Sequence, residues 1–282
     1  MNLSVLELKK TATQIRRDII RMTNGAGSGH PGGSLGCADF FPALFFNVMD
    51  AAPEKFTMEG TGEDMFFMSN GHITPVLYST MARRGYFPLQ DLAGFRKIGS
   101  KLQGHPSNAK GLHGIRIASG SLGQGVSVAC GAALAKKTDQ DEHLVWVLTG
   151  DGELQEGQIW EALMFAAAKK LDNLILTVDY NQKQIDGPID KVLGLGDLKA
   201  KFEAFGWDAM EMNGNVIEEV LEGLHQAKSK TKQGKPVAII MHTEMGYGVD
   251  FMMGTHKWHG TPPDAEQAEK ALAQLQETFG DY

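Results

Sequence analysis

The chain of 282 residues is 42% hydrophobic and 22% charged, with a formal net charge of -7, an ordinary globular composition with length for a sizeable core. The acidic balance argues against a nucleic-acid surface, which needs a basic patch, and against adhesion to an anionic membrane. No apolar stretch is long enough to span a bilayer, and the N-terminal segment MNLSVLELKKTATQIRRDII lacks the core of a signal peptide. The two cysteines, Cys37 and Cys130, lie far apart in apolar contexts, as buried thiols do. A cytoplasmic location is expected.

In chain order, Leu8, Ile15, Ile19, Ile20 and Met22 mark one side of an amphipathic helix over 4–23. The loop GAGSGHPGG (25–33) ends it, and a second helix is expected over 36–49. Asp64–Ser69 reads as a short buried strand, and Gly71-His72 opens the next helix. Residues 99–122 are irregular and rich in Gly, Ser and His, and loops of that length in a compact domain are often functional. A small-residue helix follows at 123–137. Then come a strand at 144–149, a helix near 156–170 and a strand at 174–180. Further on the pattern gives a helix at 197–205, an extended piece at 207–212, a helix at 216–229, a buried strand at 237–241 and a closing helix at 263–278. Strands alternating with helices indicate an α/β fold, a mostly parallel sheet with helices on both faces. No linker divides the chain, so residues 1–282 are expected to form a single domain.

The segment 150–181, GDGELQEGQIWEALMFAAAKKLDNLILTVDYN, carries the strongest chemical signal. It places Asp151 and Asn181 at the ends of consecutive strands joined by a helix, where an open α/β sheet collects its ligands. Asp151 supplies charge, Asn181 an amide oxygen, and a carbonyl just beyond it a third hard ligand for a cation such as Mg²⁺. Gly152 removes a side chain where a diphosphate must come close, and nearby backbone N–H groups favour an anion. A lone GDG would more often be turn chemistry; Asn181 after a second strand tips the balance toward a site.

Of nine histidines, five lie beside glycine, proline or small loop residues: His30, His72, His105, His256 and His259, with His113 a weaker sixth. Histidine transfers protons near neutrality, and several on loops opening to one sheet edge point to catalysis. Their spacing is not that of a zinc site. His143, His225 and His242 read as structural. Glu153 reads as a helix N-terminal charge favoured by the dipole. Glu161 lies among Ile159, Trp160 and Leu163, where a buried carboxylate would need a partner and could carry protons.

Taken together, GDG with Asn181, then SGHPGG, SNGH, GHP, GSLGQG and WHG in their order resemble the N-terminal, diphosphate-binding half of transketolase over nearly the whole chain. The resemblance implies a thiamine diphosphate-binding fold. It implies that Asp151, Asn181 and the carbonyl of Lys183 bind Mg²⁺, with Ca²⁺ or Mn²⁺ possible substitutes. Gly150, Gly152 and His72 would flank the diphosphate, and Gly120, Ser121 and Leu122 would line the cofactor. His30, His105 and His259 would contact sugar hydroxyls or assist proton transfers, His259 also lying near the diphosphate. Glu156 would sit at a subunit contact, in an acidic path between two cofactors. The implied activity moves a two-carbon ketol unit from a ketose phosphate to an aldose phosphate, by default the pentose phosphates.

Full-length members of that family continue into a pyrimidine-binding domain, which carries the activating glutamate, and a third domain. The resemblance therefore implies an N-terminal subunit that is inactive alone and works with a C-terminal partner subunit, two copies of each. Met245–Gly248 lacks the lysine of the KGKG found in many split relatives, which leaves the local phosphate environment open. Competing expectations are a deoxyxylulose-phosphate synthase-like enzyme, the α subunit of a 2-oxo acid dehydrogenase, and a non-catalytic relative that binds the cofactor without turnover.

Overall fold

The computed structural model describes residues 2–282. Helix α1 (Val5–Ala26) starts on a capping box between Ser4 and Glu7 and stops at Gly27 in the left-handed conformation. Helix α2 (Pro31–Gly36) and the short α3 (Phe40–Pro42) follow. The continuous helix expected over 36–49 is instead broken: after α3 the chain widens into a π-helical stretch, Ala43–Val48. Pro42 has no N–H to give the ladder, and Met49 N–H bonds five residues back to Leu44 O at 2.9 Å.

Strand β1 (Met65–Met68), helix α4 (Thr74–Arg84), helix α5 (Gln124–Thr138), strand β2 (Val145–Gly150), helix α6 (Gly157–Ala168) and strand β3 (Leu174–Tyr180) appear close to their expected bounds. The antiparallel pair β4 (Lys183–Gln184) and β5 (Gly187–Pro188) and helix α7 (Ile189–Val192) have no counterpart in the sequence pattern. Helix α8 (Leu198–Ala204), strand β6 (Asp208–Asn213), helix α9 (Ile217–Lys230), strand β7 (Val237–His242) and helix α10 (Ala265–Gln274) complete the chain.

The five long strands form one parallel sheet in the order β1-β2-β3-β7-β6. Alternate side chains feed two cores. Trp146, Leu148, Ile175, Ile239 and Met241 pack with α1, α4 and α9 on one face. Val145, Val147, Leu174, Leu176 and Ile240 pack with α5, α6 and α8 on the other. Both faces are covered, as an all-parallel sheet requires. The carboxyl ends of β1, β2, β3 and β7 then release Ser69–His72, Asp151, Asn181 and Thr243 along one edge. Gly125 lets α5 start against β1: a Cβ there would lie 2.7 Å from the Ser69 Cα. Cys37 and Cys130 are free and buried, as expected. Among the described residues, no helix is long and apolar enough to cross a membrane.

Candidate functional site

A cleft of about 380 Å³ opens at the carboxyl edge of the sheet. Its floor is the pair of strand ends that the sequence singled out. Asp151, 2% exposed, follows β2; its Oδ1 accepts from Gly152 N–H at 2.7 Å and its Oδ2 from Gln182 N–H at 2.5 Å. Asn181 follows β3; its Nδ2 donates to Asp179 Oδ2 at 3.0 Å, and its Oδ1 accepts from Lys183 N–H at 3.0 Å. Gln182 adopts a left-handed φ of 60°, which makes this turn tight. Asp179 is held from behind by the Thr243 hydroxyl.

Among the described residues no salt bridge reaches Asp151 or Asp179. Burial, and then the neighbouring Asp179 charge, push the Asp151 carboxyl up to about 8. Burial also raises Asp179. No cluster of three His, Cys, Asp or Glu side chains suited to a metal occurs among the described residues. The oxygens available here are the Asp151 and Asp179 carboxylates, the Asn181 amide and the backbone. That donor set is hard and uses few carboxylates, as Mg²⁺ prefers.

The opposite wall is built of histidines. His72 and His259 stack with ring centroids 5.1 Å apart, and His30 meets them edge-on at 5.0 and 5.8 Å. Burial, then the His259 and other charges nearby, lower His30 to about 4. Burial likewise lowers His72 and His259. Nδ1 of His30, Nδ1 of His259 and Oδ1 of Asn70 are buried without a hydrogen-bond partner. Orphaned groups of this kind in a cleft wall are what a ligand would satisfy. His105 stands behind Gly120, whose φ is +131° and whose absent Cβ would lie 2.7 Å from the imidazole Cδ2. Burial and Arg96 lower the His105 pKa.

Gly120, Leu122, Gly150, Gly152, Glu156 and Lys183 also line the cleft. Ser121 is exposed and is not among its lining residues. His256 lies in a neighbouring groove with Asn181 and Lys183. His113 stands apart: it packs on Phe56 and its Nε2 pairs with Pro53 O at 2.7 Å. His143 pairs with Asp141, and His225 is exposed on α9. Met245–Gly248 is a packed loop: Met245 is fully buried and Gly246 N–H donates to Gly32 O at 2.9 Å.

Two glutamates differ from expectation. Glu153 is not a solvated helix-end charge; it is 2% exposed and accepts four hydrogen bonds. Ser69 Oγ–H (2.5 Å) and Gly123 N–H (2.7 Å) bond Oε1, while Thr149 Oγ1–H (2.7 Å) and Gly150 N–H (3.1 Å) bond Oε2. It joins the ends of β1 and β2 to the loop that carries Gly120–Leu122. Glu161, read as a buried acid, is exposed on the outer face of α6. Ile159 and Leu163 point inward, and a residue two positions from each faces away from them.

The family model for "Transketolase, thiamine diphosphate binding domain" matches residues 8–280. The chain is 37% identical over 277 residues to one of the subunits of an apulose-4-phosphate transketolase from Phocaeicola vulgatus, covering 98% of this chain and 96% of that relative. It is 37% identical over 272 residues to the 6-deoxy-6-sulfo-D-fructose transketolase subunit SqwG of a Clostridium species, covering 96% and 97%. Among solved structures, a transketolase from Campylobacter jejuni superposes with a TM-score of 0.88 at 37% identity, covering 98% of this chain but 43% of that one.

Proposed function

The chain belongs to the transketolase family through its thiamine diphosphate-binding domain, and from that premise we propose that it is the cofactor-holding subunit of a two-chain transketolase. Residues 1–282 would act as one domain that grips the cofactor's diphosphate and a divalent cation, and a C-terminal partner subunit would complete the site, two copies of each. The observation that carries the cofactor reading is the buried Asp151–Asp179 pair without a counter-cation. Two close carboxylates in a low-dielectric cleft are costly unless a cation or protons neutralise them.

Asp151, Asn181 and the Lys183 carbonyl would hold Mg²⁺, or Ca²⁺ or Mn²⁺ in its place. Gly150, Gly152 and His72 would receive the diphosphate, and Gly120 and Leu122 would line the rest, with Ser121 outside it. When bound, thiamine diphosphate supplies the carbanion and electron sink for breaking a ketose carbon–carbon bond. The chain's own residues bind, orient and handle protons. Burial lowers both His30 and His259, which favours neutral imidazoles, so each would accept a hydroxyl proton through a free ring nitrogen. His105, held against Gly120 outside the cleft lining, would do the same. Glu156, at the cleft rim, would face the second copy.

The split relatives act, by their names, on apulose 4-phosphate and on a sulfofructose; here the substrate class proposed is a ketose phosphate donor with an aldose phosphate acceptor, of which pentose phosphates are the first to try. The test mixes the purified chain with the C-terminal subunit of a transketolase and follows ketol transfer. Turnover by the pair and none by the chain alone supports the proposal. Turnover by the chain alone, or pyruvate consumption in place of ketose consumption, overturns it.

A further inference from the structure

Two loops border the cleft from different strands: 181–188 after β3 and 243–260 after β7. Glu244, in the second, bonds the first and also Asn215, just after β6. Its backbone N–H donates to Asn215 Oδ1 at 2.7 Å, and Asn215 Nδ2 in turn donates to Gly36 O at 2.8 Å, at the end of α2. That fixes where the Glu244 backbone lies. Its carboxylate then reaches out: one oxygen, Oε1, accepts from Lys183 Nζ at 3.0 Å and from Gly254 N–H at 2.8 Å.

One carboxylate oxygen is therefore shared between two loops that do different work. Lys183 belongs to the turn whose backbone N–H bonds Asn181 Oδ1 and whose carbonyl faces the cation clamp in the proposed function. Gly254 opens the segment that carries Trp258 and His259, and Trp258 O accepts from Gly32 N–H at 3.0 Å, beside His30. The ion pair is part-buried, with the lysine side chain 17% and the glutamate side chain 39% exposed. A pair at that exposure adds little to stability, so its consequence lies in what it connects.

We propose that Glu244 is a positioning residue that latches the cation-holding turn at Lys183 to the loop carrying His259, so that cation binding on one side orders the histidine on the other. The inference rests on the proposed function for the cation. Removing the latch frees the Lys183 side chain, loosens the peptide that presents the third cation ligand, and releases the Gly254 amide together.

The test uses the full chain with thiamine diphosphate in excess and titrates Mg²⁺ by calorimetry. Hydrogen exchange over residues 250–260 is followed with and without Mg²⁺. Glu244→Gln, Lys183→Met and the double variant are compared with the parent. Each single variant is expected to weaken Mg²⁺ about two- to fivefold, because each breaks the Lys183–Glu244 ion pair that joins the two loops. Each should also abolish the Mg²⁺-dependent slowing of exchange in 250–260. The double variant should be no worse than either single one, because one connection is lost in all three. If Glu244→Gln lowers only the melting temperature, leaving Mg²⁺ affinity and loop protection intact, the latch is wrong. Strictly additive single variants overturn it too. If the parent chain itself shows no Mg²⁺-dependent binding, the proposed function falls and the latch with it, an outcome separable from failure confined to the variants.

Discussion

The two sides of the cleft are built on opposite plans. The clamp side sits on strand ends. Its side-chain oxygens are already held by backbone N–H groups, Gly152 and Gln182 on the Asp151 carboxylate and Lys183 on the Asn181 amide. The histidine side is carried by loops and short helical turns, and the buried Nδ1 of His30 and of His259 has no partner. The strand-end side thus holds its oxygens in place, and its Asp151 and Asp179 carboxylates have no salt-bridge partner among the described residues. The histidine side leaves buried ring nitrogens without a hydrogen bond. In the proposed function a diphosphate with its cation would supply what each lacks, and the contrast makes the two sides separable by experiment.

The largest effect is expected at the seam between them. Glu153→Ala strips the acceptor from four donors, two on the clamp strand and two on the loops opposite. Chemical denaturation should show a loss of about 3–5 kcal/mol, the range for breaking a buried network. A loss below about 1 kcal/mol would mean that the two sides are not joined there. His259→Asn should separate the sides functionally. In the chain paired with a C-terminal transketolase subunit it should lower kcat/KM about 100-fold, the low end for a lost proton-transfer group, while Mg²⁺ affinity stays nearly unchanged. A loss of Mg²⁺ affinity matching that of the turnover would merge the two sides.

The pH dependence of stability should differ in sign between them. Asp151 titrates near 8 in the folded chain and near 3.9 unfolded. Between those values the folded state keeps a proton that the unfolded state has lost. Stability without cation therefore falls as pH rises from about 4 to 8, by up to about 1.4 kcal/mol per unit. His30, lowered to about 4 against its ordinary 6.5, acts the other way: the unfolded state takes the proton first, so stability falls as pH drops from 6.5 toward 4. Melting curves of Asp151→Asn should lose most of the alkaline slope and keep the acidic one. Glu161→Gln, on the outer face of α6, should change stability by less than about 0.5 kcal/mol and leave turnover of the paired chain intact; a 100-fold loss of turnover would restore the role that the sequence suggested.

The placement of Asp151 and Asn181 is legible in the sequence because it follows from period and punctuation. Continuous apolar runs set β2 and β3, and each residue comes directly after its strand. The histidines are legible as motifs, but nothing local to them tells that His30, His72 and His259 meet within about 6 Å while His113 does not. Glu153 escapes a sequence reading because Ser69 and Gly123 lie far from it along the chain, and only the packing of α5 against β1 brings them there. Glu161 misleads because an apolar stretch around a residue does not fix which way the helix turns it. The short hairpin of β4 and β5 stays hidden because two-residue strands leave no periodicity to read.

The central claim is that this chain holds thiamine diphosphate through a cation at Asp151 and Asn181. Calorimetry of the purified chain with thiamine diphosphate, with and without Mg²⁺, tests it most directly when run beside Asp151→Ala. Binding should require Mg²⁺ and weaken at least about 100-fold in Asp151→Ala, as loss of a direct ligand should exceed the effect of outer partners. Binding of equal strength without Mg²⁺, or in Asp151→Ala with it, would contradict the account.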